Sequence, residues 1–442
     1  MASIGSLRIG FVSTRLAGTD GVSLETAKWA AVLERMGHQT FSFAGECDRP
    51  PERSHVVPEA SFGHPDVLAI SRASFASHAA EPTIAEGRGQ AISVRPAAVS
   101  DRIHELRAHL KAELYAFCRA FDLELLVVEN ASAIPLNLPL GLAIAEFTAE
   151  TGIPTIAHHH DLPWERQRFL VNSVADIIGA AFPPAHPTIR HVVINSLQAL
   201  ELGSRRGVTA RVIPNVMDFD RPPSPPDAGR TAALRADLGL GDTELLLLQP
   251  TRIVARKGIE DAIEFARRLD RPARLVVSHA AGDEGDAYER RILEYADLLG
   301  VTIVLAGHRI TVARDAEHEV ASRGPGRYTL AEAYDAADFV TYPSRFEGFG
   351  NAFLEAVYHR RPILVNNYST YEVDLRPRGF RVVWFDDFID ARTLEIARGL
   401  LDDPATAAAW AERNYAVGRT HFSFTVLERH LGDLLVDCFG AA

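Results

Sequence analysis

The stretch YPSRFEGFGNAFLEAVYHRRPILV, Tyr342 to Val365, decides how the rest of the chain is read. It places two carboxylates, Glu347 and Glu355, on either side of Gly348-Phe349-Gly350. The apolar-aromatic text before it has the length and composition of a buried strand, and the text after the glycines has helical spacing. In an open parallel sheet, ligands sit outside the carboxyl ends of the strands. Arg345 to Gly350 therefore fall at a ligand edge. Glycines let a backbone approach a ligand closely, and a helix start exposes free N–H groups that hold anions. A helix beginning near Gly350 or Asn351 sets Glu355 one to two turns further on. Carboxylates accept hydrogen bonds and suit vicinal hydroxyls of a sugar or ribose. Two carboxylates also repel phosphate, so a phosphorylated ligand here needs cations from elsewhere in the chain.

Working outward, strands and helices alternate on both sides of this motif. TELLLLQPTRI, ARLVVSHA, VTIVLAG and RPILVNN read as strands, with IEDAIEFARRLD and AYERRILEYADLLG as helices between them. Upstream, LRIGFVST, HQTFSFAG, LELLVVEN, IPTIAHHHD and IRHVVINS read as strands. SLETAKWAAVLERMGH and DRIHELRAHLKAELYAFCRAF are amphipathic helices. Such alternation predicts parallel sheets covered on both faces. Residues 48–100 carry no clear pattern. The proline-rich RPPSPPDAGR beginning at Arg221 can continue neither a helix nor a central strand and is expected to be a linker. The expected division is a first domain over 1–220, a second over 221–420, and a final helical segment, 421–442, that crosses back to the first.

A length of 442 residues is too great for one core. A net charge of −12 argues against general binding to nucleic acid or anionic membranes. Cys47, Cys118 and Cys438 are scattered and suggest neither a disulfide framework nor a zinc knuckle. No apolar run reaches the length of a membrane span. A cytoplasmic, soluble protein without stable membrane association is expected.

The missing cations stand in QPTRIVARKGIEDAI, where Arg252 and Lys257 flank a turn before Gly258. A guanidinium fork and an ammonium point charge both suit a diphosphate. A solvated basic turn is the alternative. Taken together, RFEGFGNAFLEA resembles the Glu-x7-Glu motif of retaining family 4 glycosyltransferases. TRIVARKG resembles their Arg…Lys-Gly element, and RVIPNVMDFD their Pro-Asn stretch before the linker. The Gly18–Gly21 loop resembles their glycine loop after the first strand. The order and spacing hold over most of the chain outside residues 48–100. The resemblance implies an α/β GT-B fold, two Rossmann-like domains with a cleft between them.

It also implies roles. Glu355 would bind the ribose of a nucleotide-sugar, and Glu347 would lie near hydroxyls of the transferred sugar. Backbone amides of Phe349, Gly350 and Asn351 would contact the donor. Arg252 and Lys257 would neutralise its diphosphate, with Gly21 nearest to it in the glycine loop. A histidine in AHHHDLPWER would face the donor sugar; His160, beside Asp161, fits best, with His158 and His159 open. Three histidines and an aspartate also invite a metal reading. Consecutive strand residues point to opposite faces, so His159 does not join its neighbours. No metal and no cofactor are expected. Asp20, where many members have glycine, is a candidate for acceptor hydroxyls. Glu129 and Asn130, in VENASAIPLNLPLG, are candidates for a polar acceptor or for a structural turn. Arg166 and Arg168 suit an anionic acceptor group or a solvated helix face.

The expected activity is retaining transfer of a hexose from a nucleotide diphosphate sugar, GDP-mannose or UDP-glucose, to a hydroxyl of a small, soluble, polar acceptor. VENASAIPLNLPLG and HHHDLPWERQRF resemble synthases of small glycosides. An epimerase of the same fold and an inactive nucleotide-sugar-binding protein are the rivals.

Overall fold

The computed structural model describes residues 5–75, 94–280, 287–312, 324 and 326–440. Much of the unpatterned 48–100 region lies outside them. The chain divides into two compact units, Met1–Pro214 with Leu427–Ala442, and Asn215–Val426.

The first unit holds a seven-stranded, all-parallel sheet. Its strands are β1 (Arg8–Val12), β2 (Gln39–Ala44), β3 (Ser54–Val56), β4 (Leu125–Glu129), β5 (Thr155–His159), β6 (Ile189–Val193) and β7 (Ala210–Val212). The order is β3-β2-β1-β4-β5-β6-β7. Its helices include α1 (Gly21–Arg35), α2 (Pro65–Ser74), α3 (Ala97–Phe121), α4 (Leu138–Thr151), α5 (Ala175–Ala181) and α6 (Ser196–Arg206). Helix α3 forms because Ile103, Leu106, Leu110, Leu114 and Phe117 recur at three- and four-residue intervals and bury one stripe. Leu110, Leu114 and Phe117 meet Val12, Phe43, Leu126 and Val128 of the sheet and Ile144 and Phe147 of α4. Each such side chain stabilises the unit by about 1.5–3 kcal/mol. Asp122, in the left-handed conformation, ends the helix.

The second unit repeats the plan. A six-stranded parallel sheet has the order β10-β9-β8-β13-β14-β15. The strands are β8 (Leu245–Gln249), β9 (Ala273–Val277), β10 (Thr302–Leu305), β13 (Phe339–Tyr342), β14 (Ile363–Asn366) and β15 (Val383–Phe385), while β11 (Ile310–Thr311) and β12 (Tyr328–Thr329) form a separate pair. Helices α7 (Ala228–Asp237), α8 (Ile259–Arg268), α9 (Ala287–Leu299), α10 (Leu330–Ala336), α11 (Asn351–Tyr358), α12 (Ala391–Asp402) and α13 (Pro404–Phe422) surround it. The sheet reverses direction of growth between β8 and β13; in the first unit the same reversal lies between β1 and β4. Ligands of such sheets bind at this reversal, beyond the carboxyl ends.

The boundary falls at Pro214/Asn215, earlier than the proline-rich stretch suggests. Residues 215–220 are held in the second unit. Asn215 donates to Asn351 (2.7 Å), Met217 N–H to the Phe422 carbonyl (2.9 Å), and Tyr415 to the Phe219 carbonyl (3.0 Å). Prolines disrupt an element, but a domain ends where tertiary contacts end. The last helix, α14 (Phe424–Phe439), buries Leu427, Leu431, Leu434 and Leu435 and returns the chain to the first unit. There Glu428 pairs with Arg35 (2.6 Å) and Asp437 with Arg211 (2.7 Å). Among the described residues no helix is long and apolar enough to cross a membrane.

Candidate active site

In the second unit, the loops after β8 and β13 carry the chemistry. Gly258 follows a short turn, Ala255–Lys257, and has φ +61°. A Cβ there would stand 2.4 Å from the Pro343 carbonyl oxygen, so only glycine lets the two loops approach. Arg345 N–H donates to the Arg256 carbonyl (2.9 Å) and closes the approach. Beneath it, Thr341 donates to Gln249 (2.7 Å) and Gln249 to Thr251 (2.9 Å), a buried clamp between the ends of β8 and β13.

Held this way, the Lys257 ammonium donates to Oε1 of Glu347, and Arg256 reaches Oε2 at 3.1 Å. Burial alone would raise the Glu347 carboxyl, but the two cations outweigh it and hold it at about 2. Burial pushes the Lys257 ammonium below its usual range, and Glu347 offsets that only in part. Arg252 is exposed, and its charge bears on both Lys257 and His279. The structure thus joins Lys257 to Glu347, and it adds Arg256, which the sequence pattern does not single out over Arg252. It also adds His279, just beyond β9, which burial, Lys257 and Arg252 push down to about 4, so its ring is neutral at pH 7. Position at a strand's carboxyl end is the only signal that marks His279 in the sequence.

Gly350 caps α11 with φ +122°, and a Cβ there would meet the Tyr368 hydroxyl at 2.5 Å. Tyr368 donates to the Phe349 carbonyl (2.9 Å) and Thr370 to the Glu347 carbonyl (3.1 Å). The turn is therefore fixed from below, and Asn351 opens α11 as expected. The first amides of a helix have no intrahelical acceptor and are available to a ligand. Glu355, half-buried on α11, accepts from the Tyr334 hydroxyl (2.9 Å). Tyr334 has no sequence signature as a partner.

In the first unit, the pairing of β4 with β5 puts Glu129 beside His158. One carboxylate oxygen, Oε2, lies 3.0 Å from Nδ1 of His158 and 3.1 Å from Nε2 of His160. His159 points the other way and pairs with His191 (2.9 Å). Alternation along the strand thus separates His159 from its neighbours, but Glu129 completes a three-residue cluster that no sequence spacing reveals. The side-chain oxygen and nitrogen atoms that face one another in it lie within 4.8 Å.

Glu129 is fully buried, and its carboxylate engages two imidazoles. Asn130 likewise turns inward: its Oδ1 accepts from the amides of His160 (3.0 Å) and Asp161 (3.3 Å). Asp20 caps α1, accepting from Val22 and Ser23 amides at 3.1 and 3.2 Å, and pairs with Arg15 at 3.2 Å. These bonds fix the three side chains locally within the first unit. Gly21 is the exposed first residue of α1. Arg166 pairs with Asp161, and Arg168 lies 4.7 Å from the Phe169 ring centroid.

Two parallel α/β units, each with polar side chains at its sheet reversal, have the GT-B architecture. No protein-family model matches the sequence. The fold is shared with sucrose-phosphate synthase from Thermosynechococcus elongatus (TM-score 0.63, 16% identity, 99% of this chain and 100% of that one). Anabaena HepE in complex with UDP-glucose is a further neighbour (TM-score 0.62, 13% identity, 98% and 100%). In sequence, the chain is 31% identical over 400 residues to mannosylglucosylglycerate synthase of Petrotoga mobilis, covering 85% of this chain and 86% of the relative. The enzyme of that name from Thermotoga maritima is 28% identical over 454 residues, covering 96% and 98%. The chain belongs to the family 4-like glycosyltransferases that include these mannosylglucosylglycerate synthases.

Proposed function

We propose that this protein transfers a hexose, with retention of configuration, from a nucleotide diphosphate sugar to a hydroxyl of a small polar acceptor. The observation that carries the reading is the Lys257–Glu347–Arg256 cluster at the β8/β13 reversal, one turn before the α11 amides. Negative charge grows on the leaving diphosphate as the glycosidic bond breaks. Lys257, Arg252 and Arg256 with the Gly350 and Asn351 amides stabilise it, and in many enzymes preorganised charge of this kind supplies most of the rate enhancement. Gly21, in the first unit's glycine loop, is the residue of that loop proposed for the diphosphate. Glu355 accepts from the ribose hydroxyls. Glu347, kept ionised by its two cations, accepts from hydroxyls of the transferred sugar, and His160 is the sugar-facing histidine. Neither glutamate forms a sugar ester. The acceptor attacks from the leaving-group face, and the departing phosphate oxygen takes its proton.

GDP-mannose is the first donor to test, because the sequence relatives are named for a mannosyl product, and UDP-glucose the second, because a structural neighbour holds it. The acceptor is a small hydroxylated acid or its glycoside. We further propose that transfer needs no metal, since Lys257, Arg252 and Arg256 supply the positive charge that a diphosphate requires.

The test supplies each donor with glycerate, glucosylglycerate and simple sugars, and follows nucleotide release and the anomeric proton signal of the product. An α-linked product, formed equally in excess EDTA, is expected. Free nucleotide without acceptor would favour an epimerase. Tight donor binding without turnover would favour a binding protein. A β-linked product or a metal-reversible loss would refute retention or metal independence respectively.

A further inference from the structure

His160 is held at three points. Its amide donates to Asn130 Oδ1 (3.0 Å), its carbonyl accepts from Gln198 (3.2 Å), and its Nε2 meets Glu129 Oε2 (3.1 Å). Among the described residues Nδ1 makes no such bond, and 8% of the side chain remains exposed against 1% for His158. His158 is clamped as well: its ring stacks on Trp29 with centroids 4.2 Å apart, and its Nδ1 meets the same Glu129 oxygen. Glu129 itself is without exposure, and its second oxygen, Oε1, has no partner.

An ionised carboxylate only accepts hydrogen bonds. Both imidazole nitrogens that face Oε2 must therefore carry hydrogen, which makes His158 the Nδ1–H form and commits His160 to Nε2–H. We propose that Glu129 is the positioning residue of His160, fixing its ring and proton so that Nδ1 is the atom presented to the sugar. The proposal rests on the role given above to His160. Electrostatics agree with the geometry. Burial disfavours charge on all three groups, yet the histidines hold the Glu129 carboxyl at about 2. Burial likewise lowers His160, but Glu129, with Glu25 of α1 and Asp161 of the following loop, raises it above its ordinary value. His158 has Glu129 and Glu25 beside it and is nonetheless driven down by burial and by His160. The same three side chains lie close enough to ligate a cation. One nitrogen of each ring lies at hydrogen-bond distance from the same oxygen, which a proton on each nitrogen accounts for, and metal content tests the alternative.

The test uses the full chain labelled with ¹⁵N-histidine, its His160 signals assigned with H160A. Two-bond proton–nitrogen spectra read the tautomer directly, without substrate. Neutral His160 is expected as Nε2–H, and its titration is expected to move to lower pH in E129Q, where the carboxylate is gone and burial remains. An Nδ1–H tautomer in the wild-type protein, or an unmoved titration in folded E129Q, would overturn the proposal, and the wild-type spectrum decides even if E129Q does not fold. Bound zinc in stoichiometric amount would also overturn it. In turnover, E129Q is expected to lower kcat about 10–100-fold, as loss of such supporting partners does elsewhere, with donor KM little changed. It should add nothing in the H160A background, because the two act as one unit. An equal loss in both backgrounds would show that Glu129 acts apart from His160. If the enzyme has no transferase activity, the function proposal fails while the spectra still judge this one.

Discussion

Lys257 is a buried ammonium whose nearest charge is a carboxylate, and both facts bear on its replacement. Lys257→Ala removes a cation from the proposed diphosphate site and leaves Glu347 with Arg256 as its one paired cation among the described residues. Turnover at saturating donor is expected to fall about 10²–10³-fold. Breaking a buried pair also costs stability, on the order of 3–5 kcal/mol in full burial and less here because both side chains retain some exposure. Turnover of the folded variant, checked by circular dichroism, separates the two effects; wild-type turnover would remove Lys257 from the site. Glu355 poses a simpler question, since its neutral partner Tyr334 survives its loss. Glu355→Ala is expected to weaken nucleoside diphosphate binding by about 1.5–3 kcal/mol, the range for a hydrogen bond to a charged group. Unchanged affinity in calorimetry would exclude contact with the ribose.

At the scale of elements, the loop after β5 has a titration of its own. Glu165 accepts from the Leu162 amide (2.6 Å) and from Gln198 (3.0 Å). Burial, with Asp161 and Glu201 nearby, raises its carboxyl to about 7. A carboxyl raised on folding binds its proton more tightly in the native state. Stability from this group is therefore greatest below pH 4.5 and is lost as pH rises to 7. Glu165→Gln keeps the acceptor and removes the charge, so its thermal midpoint should gain on the wild type more at pH 8 than at pH 5. The full difference is on the order of 2–3 kcal/mol; equal midpoints at both pH values would refute the shift. Elements of this kind also mark where sequence reading stops. The strand–helix alternation, the α11 start at Asn351 and the Lys257 turn are encoded within a dozen residues and are legible. Glu129 beside His158 depends on the register of β4 against β5, strands separated by a helix, and no local pattern carries it. Arg256 and Arg252 straddle one turn, and only the Gly258–Pro343 approach decides which of them meets Glu347. The domain boundary departs from the proline stretch for a related reason: prolines are visible in sequence, whereas the contacts that retain Asn215 and Phe219 are not.

For the molecule as a whole, the distribution of charge predicts where it does not bind. Attraction to an anionic bilayer is worth about 1 kcal/mol per basic residue near the surface, and it requires basic residues that are not already neutralised. The net charge is −12. On the long helix α3, Arg102 pairs with Asp66 and Glu105, Arg107 with Glu146, and Lys111 with Glu146 and Glu150. On α1, Lys28 pairs with Glu25 and Arg35 with Glu428. Neither helix offers the polybasic, amphipathic face that interfacial docking needs. Such pairs contribute little to stability, but each cancels a charge that a lipid headgroup would otherwise meet. The protein is therefore expected to remain in the supernatant when centrifuged with anionic liposomes at about 0.15 M salt, where screening reaches roughly 8 Å. Strong co-sedimentation, together with transfer to a lipid extract and none to small hydroxylated acids or sugars, would replace the small polar acceptor with a membrane lipid. Weak co-sedimentation that vanishes with added salt, beside turnover on soluble acceptors, would leave the small acceptor standing.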